Sequence, residues 1–225
     1  MPEIYHALSR GVDKRKIFMD DKDRFRFIHD LFEFNDEAPA NTSSYHFYKQ
    51  SGDIGCRQIE RKPRKLLVNI LAFCLMPNHY HLLLSSLVKN GVSLFMRKLN
   101  DGYVKYFNKR HERTGTLFER KYKSVLVDNE AHFIHMPYYI HLNCLDLIAP
   151  EWRQRKLINY KKAIDFLGKY RWSSHLDYLG QKNFPSVTQR DFLLEVFEGE
   201  KGYEKNLKSW LKELNLKKID DYALE

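Results

Sequence analysis

Cysteine is scarce: the 225 residues hold 3, at Cys56, Cys74 and Cys144, with no CxxC pair and an odd count. That argues against a disulfide framework or a four-cysteine zinc site, and it points to a reducing, cytoplasmic setting. Long hydrophobic runs are also missing. The most apolar stretch, residues 66–76, is 11 residues long and contains Asn69, whereas a bilayer span takes roughly 20 apolar residues. Residues 1–6 lack the basic-then-apolar layout of a signal peptide. No internal repeat or low-complexity tract is visible. The expectation is a protein with no membrane partner.

What is present fits a folded chain. Hydrophobic residues make up 43% and charged residues 30%, a balance that excludes wholesale disorder. Lys and Arg number 38 against 29 Asp and Glu, a net charge of +9 and a pI near 9.3. A surplus of this sign favours an anionic partner. The charge is unevenly spread: residues 91–125 carry nine basic and three acidic side chains, and residues 57–65 carry a net +4. Residues 20–37 carry a net −4. One basic face is the natural reading, and a solvated charged helix is the ordinary alternative.

Residues 4–10 read as a strand ending at Gly11, and residues 21–34 as a helix with Phe25, Ile28, Leu31 and Phe32 on its inner face. Residues 36–65 read as an inserted loop or hairpin. Residues 66–75 and 80–84 are strands joined across Met76-Pro77-Asn78 as a central hairpin. Residues 92–111 form an amphipathic helix, with Lys98, Lys105 and Lys109 aligned on one side. Such a stripe tracks a phosphate backbone rather than reading bases. A strand at 122–127 and a helix at 129–142 follow. Strand, helix, strand, strand, helix, strand is the ferredoxin-like split βαβ pattern: an α+β domain with helices on one face of an antiparallel sheet and the other face free. Residues 1–148 are assigned to this domain. Residues 149–225 are assigned to a mostly helical extension, with a Thr188-x-x-Asp191 capping box and a charged helix over 200–217.

Two constellations carry candidate chemistry. His79 and His81 are alternate residues of a strand, so their rings point to one face about 6.5–7 Å apart and can converge on an ion. Local hydrogen bonding of two incidental histidines is the alternative. Tyr139 and Asn143 lie four apart on a helix and share a face, while Tyr138 is turned about 100° away. Asn143 offers a carbonyl oxygen suited to a hard divalent ion. His132 and His135, upstream on a similar face, fit a zinc site or none.

The run Leu71-Ala72-Phe73-Cys74-Leu75-Met76-Pro77-Asn78-His79-Tyr80-His81-Leu82-Leu83-Leu84 resembles the core motif of the REP-associated tyrosine transposases, the insertion-sequence-200-like branch of the HUH single-tyrosine transposases. Phe95-Met96-Arg97-Lys98-Leu99, Tyr106-Phe107-Asn108-Lys109-Arg110 and the segment from Gly115 to Ser124 match in order. So do Tyr139-Ile140-His141-Leu142-Asn143 and Trp172-Ser173-Ser174. The resemblance covers about residues 5–180. Cys144 stands where the family usually has proline.

The resemblance implies that His79, His81 and Asn143 hold Mg²⁺ or Mn²⁺ and that Tyr139 is the nucleophile. It also implies a homodimer acting on single-stranded, hairpin-containing DNA, so the protein is expected to be nucleoid-associated when bound. A tyrosine hydroxyl with its pKa near 10 needs activation, and a divalent ion on the scissile phosphate would offset the developing charge. The candidate DNA contacts are Arg10, Arg97, Lys98, Lys105, Lys109, Arg110, Arg113, Arg120, Lys121 and Lys123. Two rival readings keep the fold without the chemistry. One is a domesticated DNA-binding protein; the other is an RNA-binding module, which predicts exposed aromatics on the central strands.

Overall fold

A computed structural model describes residues 3–39, 63–213 and 224. Most of the inserted segment therefore lies outside the described residues, as do residues 214–217 of the final expected helix. Strands β1 (Ile4–Arg10), β2 (Val68–Met76), β3 (His79–Ser86) and β4 (Lys123–Leu126) form one antiparallel sheet in the order β2-β3-β1-β4. Helices α1 (Asp21–Glu33) and α2 (Gly91–Arg110) are the two crossovers, and both pack on one face. This is the ferredoxin-like arrangement that the element order predicts.

The side of α1 that turns inward differs from the expected one. Asp23, Phe27, Ile28, Asp30 and Leu31 are buried, whereas Phe25 is 44% exposed. Two carboxylates occupy core-facing positions, which hides the true stripe from a count of apolar residues. Asp23 accepts from the Met19 backbone N–H at 2.8 Å and from the Tyr106 hydroxyl at 3.1 Å, and it is also bound by Arg110 and His111. Asp20 caps α1 by accepting from the Asp23 N–H at 3.1 Å, a contact worth about 1 kcal/mol. At Gly102 the two helices come so close that an added Cβ would lie 2.3 Å from the Phe34 ring. Phe25 instead packs edge-on against Trp172, with ring centroids 5.1 Å apart.

The face left open by the sequence reading is covered. The helix expected over 129–142 is broken into α3 (Glu130–Phe133) and α4 (Met136–Leu142), with Pro137 in the first turn of α4. Proline fits a first helical turn and cannot continue a preceding one. α4 lies across β2 and β3 on the side away from α1 and α2. β1 and β3 consequently display no exposed aromatic residue. The RNA-platform reading loses its requirement.

Residues after 148 join the same hydrophobic core. They supply α5 (Tyr160–Leu167), α6 (His175–Tyr178), α7 (Asp191–Val196) and α8 (Gly199–Glu213). The expected capping box does not form. α7 starts at Asp191 after an Arg190 N-cap with no side-chain bond, and the Thr188 hydroxyl accepts from Arg190 instead. Trp172-Ser173-Ser174 lies along the outer edge of β2: Leu75 N–H donates to Trp172 O at 2.8 Å and Ser174 N–H to Phe73 O at 3.0 Å. An edge strand is thereby paired rather than left as a template for aggregation.

Behind this edge is a buried polar cluster. His141 Nδ1 and His175 Nδ1 both meet the Tyr203 hydroxyl, at 2.7 and 2.9 Å, and His141 Nε2 meets the Ser174 hydroxyl at 2.7 Å. Burial pushes the His175 pKa down to about 4 and that of His141 well below its ordinary value. Both rings fold neutral. Below pH about 6.5 the unfolded chain takes up a proton that native His175 refuses, so stability falls steadily towards pH 4. From His175 alone the loss at pH 4.5 is about 2–3 kcal/mol. Urea midpoints at pH 7.5 and 4.5 should differ in wild type, and the difference should shrink in His175→Phe by the share that His175 carries, since His141, His79 and His81 are also held neutral by burial. Equal shifts in both would show that His175 does not contribute to acid lability.

Candidate active site

The strand register gathers the site. Leu8 is paired with His81 and Arg10 with His79, so His6, Leu8 and Arg10 share the face that carries both histidines. Tyr80, between them, points the other way and packs on Phe27. α4 brings Tyr139 over the imidazoles, edge-on to His81 and His6 at centroid distances of 6.2 and 5.8 Å. Tyr139 is 2% exposed. Tyr138 turns into an aromatic cluster with Phe197, Tyr203 and Trp210.

Each histidine is oriented from behind. His79 Nδ1 lies 2.7 Å from Asn78 Oδ1, and Asn78 Nδ2 donates to Lys14 O at 3.2 Å. That second bond fixes which end of the amide is oxygen, so His79 Nδ1 carries the proton and Nε2 keeps its lone pair. His81 Nδ1 lies 2.9 Å from His6 Nε2, and one proton serves the pair. If His81 holds it, its Nε2 is also a free lone pair. Neither His79 Nε2 nor His81 Nε2 has a hydrogen-bond partner, although both atoms are buried. Burial lowers the His79 pKa to about 3, helped by the Arg10 and Arg153 charges, and that of His81 far below its usual value. Two neutral imidazoles with unsatisfied nitrogens are a donor set for a divalent ion. Among the described residues there is no cluster of three or more His, Cys, Asp or Glu side chains that could hold a metal ion. His135 stacks on Trp210.

Asn143 Nδ2 donates back to Tyr139 O at 2.9 Å, and its Oδ1 accepts from Arg153 Nη2 at 2.6 Å. Arg153 Nη1 donates to the Tyr139 hydroxyl at 3.2 Å. The guanidinium is held by both oxygens of Asp146, and Trp152 Nε1 donates to the same carboxylate at 2.7 Å. Arg153 thus ties the candidate nucleophile to the candidate amide ligand. A planar fork of donors is suited to this and an ammonium is not. Sequence reasoning missed His6 and Arg153. His6 had a signal, since the two-residue period of the strand puts it on the face of Leu8 and Arg10, among mostly apolar neighbours. Arg153 had none.

The basic candidates do not gather in one place. Lys98, Lys105 and Lys109 line a groove between α1 and α2, on the face of the sheet opposite the histidines. The Lys98 ammonium is bound by the carbonyls of Asp36 and Ala38. Arg110 is committed to Asp20 and Asp23, and its guanidinium holds the Asp20 carboxyl far below the usual range. Arg113 donates to Asn108 at 3.1 Å and lies over the Phe107 ring. Arg97, Lys105, Arg120 and Lys121 line a second groove beside α2. Lys123 is opposite Leu8 and shares the histidine face, and Arg10 lies beside His79.

Residues 47–143 match the family described as Transposase IS200 like. That segment contains both histidines, the tyrosine and the asparagine, whereas His6 and Arg153 come from outside it. No curated protein matches the chain. One solved structure similar to it is a REP-associated tyrosine transposase bound to a REP hairpin, with a TM-score of 0.48 and 10% sequence identity over 84% of this chain and 86% of that one. The matched segment ends at Asn143, ten residues before Arg153. No helix among the described residues is long and apolar enough to cross a membrane.

Proposed function

We propose that this protein is a metal-dependent single-strand DNA endonuclease and strand transferase of the REP-associated type, acting on hairpin-containing DNA. The observation that supports it most is the pair of partnerless Nε2 atoms on His79 and His81 beside a buried tyrosine. His79, His81 and Asn143 would hold Mg²⁺ or Mn²⁺. Such an ion supplies Lewis-acid polarisation of the scissile phosphate.

The rest follows from the chain's own groups. Arg153 positions the Tyr139 hydroxyl. Tyr139 Oη forms a bond to phosphorus, the bond from phosphorus to the 3′-oxygen breaks, and the leaving oxygen ends as a protonated 3′-hydroxyl. The enzyme keeps a 5′-phosphotyrosine link. Attack by another 3′-hydroxyl reverses the step, restores Tyr139 and joins strands without ATP, because the bond energy is conserved. Arg97, Arg120, Lys121 and Lys123 are exposed and neutralise backbone phosphates. A homodimer is part of this reading.

The test is direct. Wild type incubated with Mn²⁺ and a pool of hairpin oligonucleotides should give a covalent protein–DNA adduct. Calorimetric titration should show Mn²⁺ binding that is lost in His79→Ala/His81→Ala, and the adduct should be lost with it. Mn²⁺ is the stronger probe because nitrogen ligands favour it over Mg²⁺. Equal Mn²⁺ affinity in both proteins, or no adduct with any hairpin, would sink the proposal.

A further inference from the structure

The sheet face that carries the histidines opens to solvent through a cleft of about 590 Å³. Its lining includes Arg10, Lys14, Lys16, Asn78, His79 and Asp146. Three cations converge here, and none of them makes an ion pair among the described residues. The only carboxylate on the cleft wall, Asp146, is already bound by Arg153. Like charges gathered without a counter-charge repel one another unless an anion joins them. At the inner end lies His79, 6% exposed, with its partnerless Nε2.

The loop that supplies the lysines is held in a costly shape. Asp13 and Lys14 both have left-handed backbone angles, with φ of 53° and 55°, and non-glycine residues there pay of order 1–3 kcal/mol each. The loop is fastened to the β2–β3 turn: Gly11 N–H donates to Asn78 O at 2.8 Å, and Ile17 N–H to Pro77 O at 2.9 Å. Asn78 Nδ2 donates to Lys14 O. The lysine-bearing loop and the orientation of His79 are therefore one connected unit. The α2 lysines have no such link, since they stand behind the sheet.

We propose that this cleft is the entry path for a single-stranded polynucleotide, with Arg10, Lys14 and Lys16 pairing with successive backbone phosphates and delivering the next one to His79. This rests on the reading of the site given above and adds the route to it. A duplex does not fit the requirement. The groups it must reach, His81 and Tyr139, are buried, and a single flexible strand can thread a phosphate to them where a rigid double helix cannot. The three cations meet phosphates rather than base edges, so the contacts are sequence-independent.

The experiment measures oligo(dT) binding against salt for wild type, Lys14→Gln/Lys16→Gln, Lys105→Gln/Lys109→Gln and the exposed control Lys161→Gln/Lys169→Gln. Each phosphate contact on a single strand contributes about 0.7 to the slope of log affinity against log salt. The cleft variant should therefore lose about 1.4 from the slope, and the control should lose nothing. Its Mn²⁺ affinity and thermal midpoint should match wild type, because the substituted side chains are exposed. Affinity for a duplex of equal length should be unchanged. A larger slope change in the α2 variant, equal losses on duplex and single strand, or no change in the cleft variant would each overturn the proposal. Failure of adduct formation with an intact cleft effect would instead count against the chemistry alone.

Discussion

Tyr139→Phe should abolish the covalent adduct while leaving the fold, Mn²⁺ affinity and DNA affinity close to wild type, and Tyr138→Phe should retain adduct formation. The change at 139 removes one oxygen from a ring that keeps its edge-on packing against His6 and His81. It forfeits the hydrogen bond from Arg153, which costs about 1–3 kcal/mol because its donor is charged. Arg153 stays held by Asp146 and Asn143, so no bare cation is left behind. Tyr138 lies in a different cluster, against Phe197 and Tyr203. Removing its hydroxyl changes neither the imidazoles nor the clamp. Peptide mass spectrometry on the trapped adduct decides between the two rings. An adduct mapped to Tyr138, or cleavage surviving in Tyr139→Phe, would exclude Tyr139 as the nucleophile. The second result would leave a nuclease that uses water and cannot transfer strands.

A fragment ending at residue 148 should show no cooperative thermal transition and no Mn²⁺ binding. The loss is one of core as well as of Arg153. Trp152, Tyr178, Leu193, Phe197, Tyr203 and Trp210 are all buried in the same cluster as β2 and α4. Truncating a single large core aromatic costs about 3–5 kcal/mol, against a total stability of about 5–15 kcal/mol for a domain. Removing five such aromatics together with Leu193 exceeds that total. The outer edge of β2 would also lose its partners at Phe73 and Leu75. Calorimetry and near-ultraviolet circular dichroism on the fragment are the readouts. A cooperative melt with retained Mn²⁺ binding would show that residues 1–148 fold alone.

The strands were legible because their signals are local. The residues flanking Pro77-Asn78 are apolar runs that nothing but a hairpin accommodates, and β1 emerged with the expected ends. His79 and His81 were legible through the two-residue period of a strand, and the placing of Tyr139 and Asn143 through the four-residue spacing of a helix. The inner face of α1 was misread because Asp23 and Asp30 are inside: Asp23 is compensated by Arg110 and His111, far along the chain, and Asp30 by Arg26, one turn back in the same helix. The free face of the sheet was misread because what covers it, α4, carries the same tyrosine that draws attention as chemistry. Arg153 was out of reach altogether. Its role depends on a fork reaching two side chains 10 and 14 positions away, and no periodicity connects them.

α4 has a mechanical consequence. It is a seven-residue helix, cut from α3 at its start and giving way to a 3-10 turn at its end. Two neighbouring tyrosines on it point into separate clusters, one against the histidines and one against the terminal helices. So short a rod has no stiffness of its own, and its angular setting is whatever the two clusters jointly impose. The aim of the candidate nucleophile is thereby calibrated from a distant part of the polypeptide, by Phe197 and Trp210, in the way a sight is trued by a screw behind the barrel. Drift in that distal packing would register first as misalignment at phosphorus, well before it registered as loss of fold.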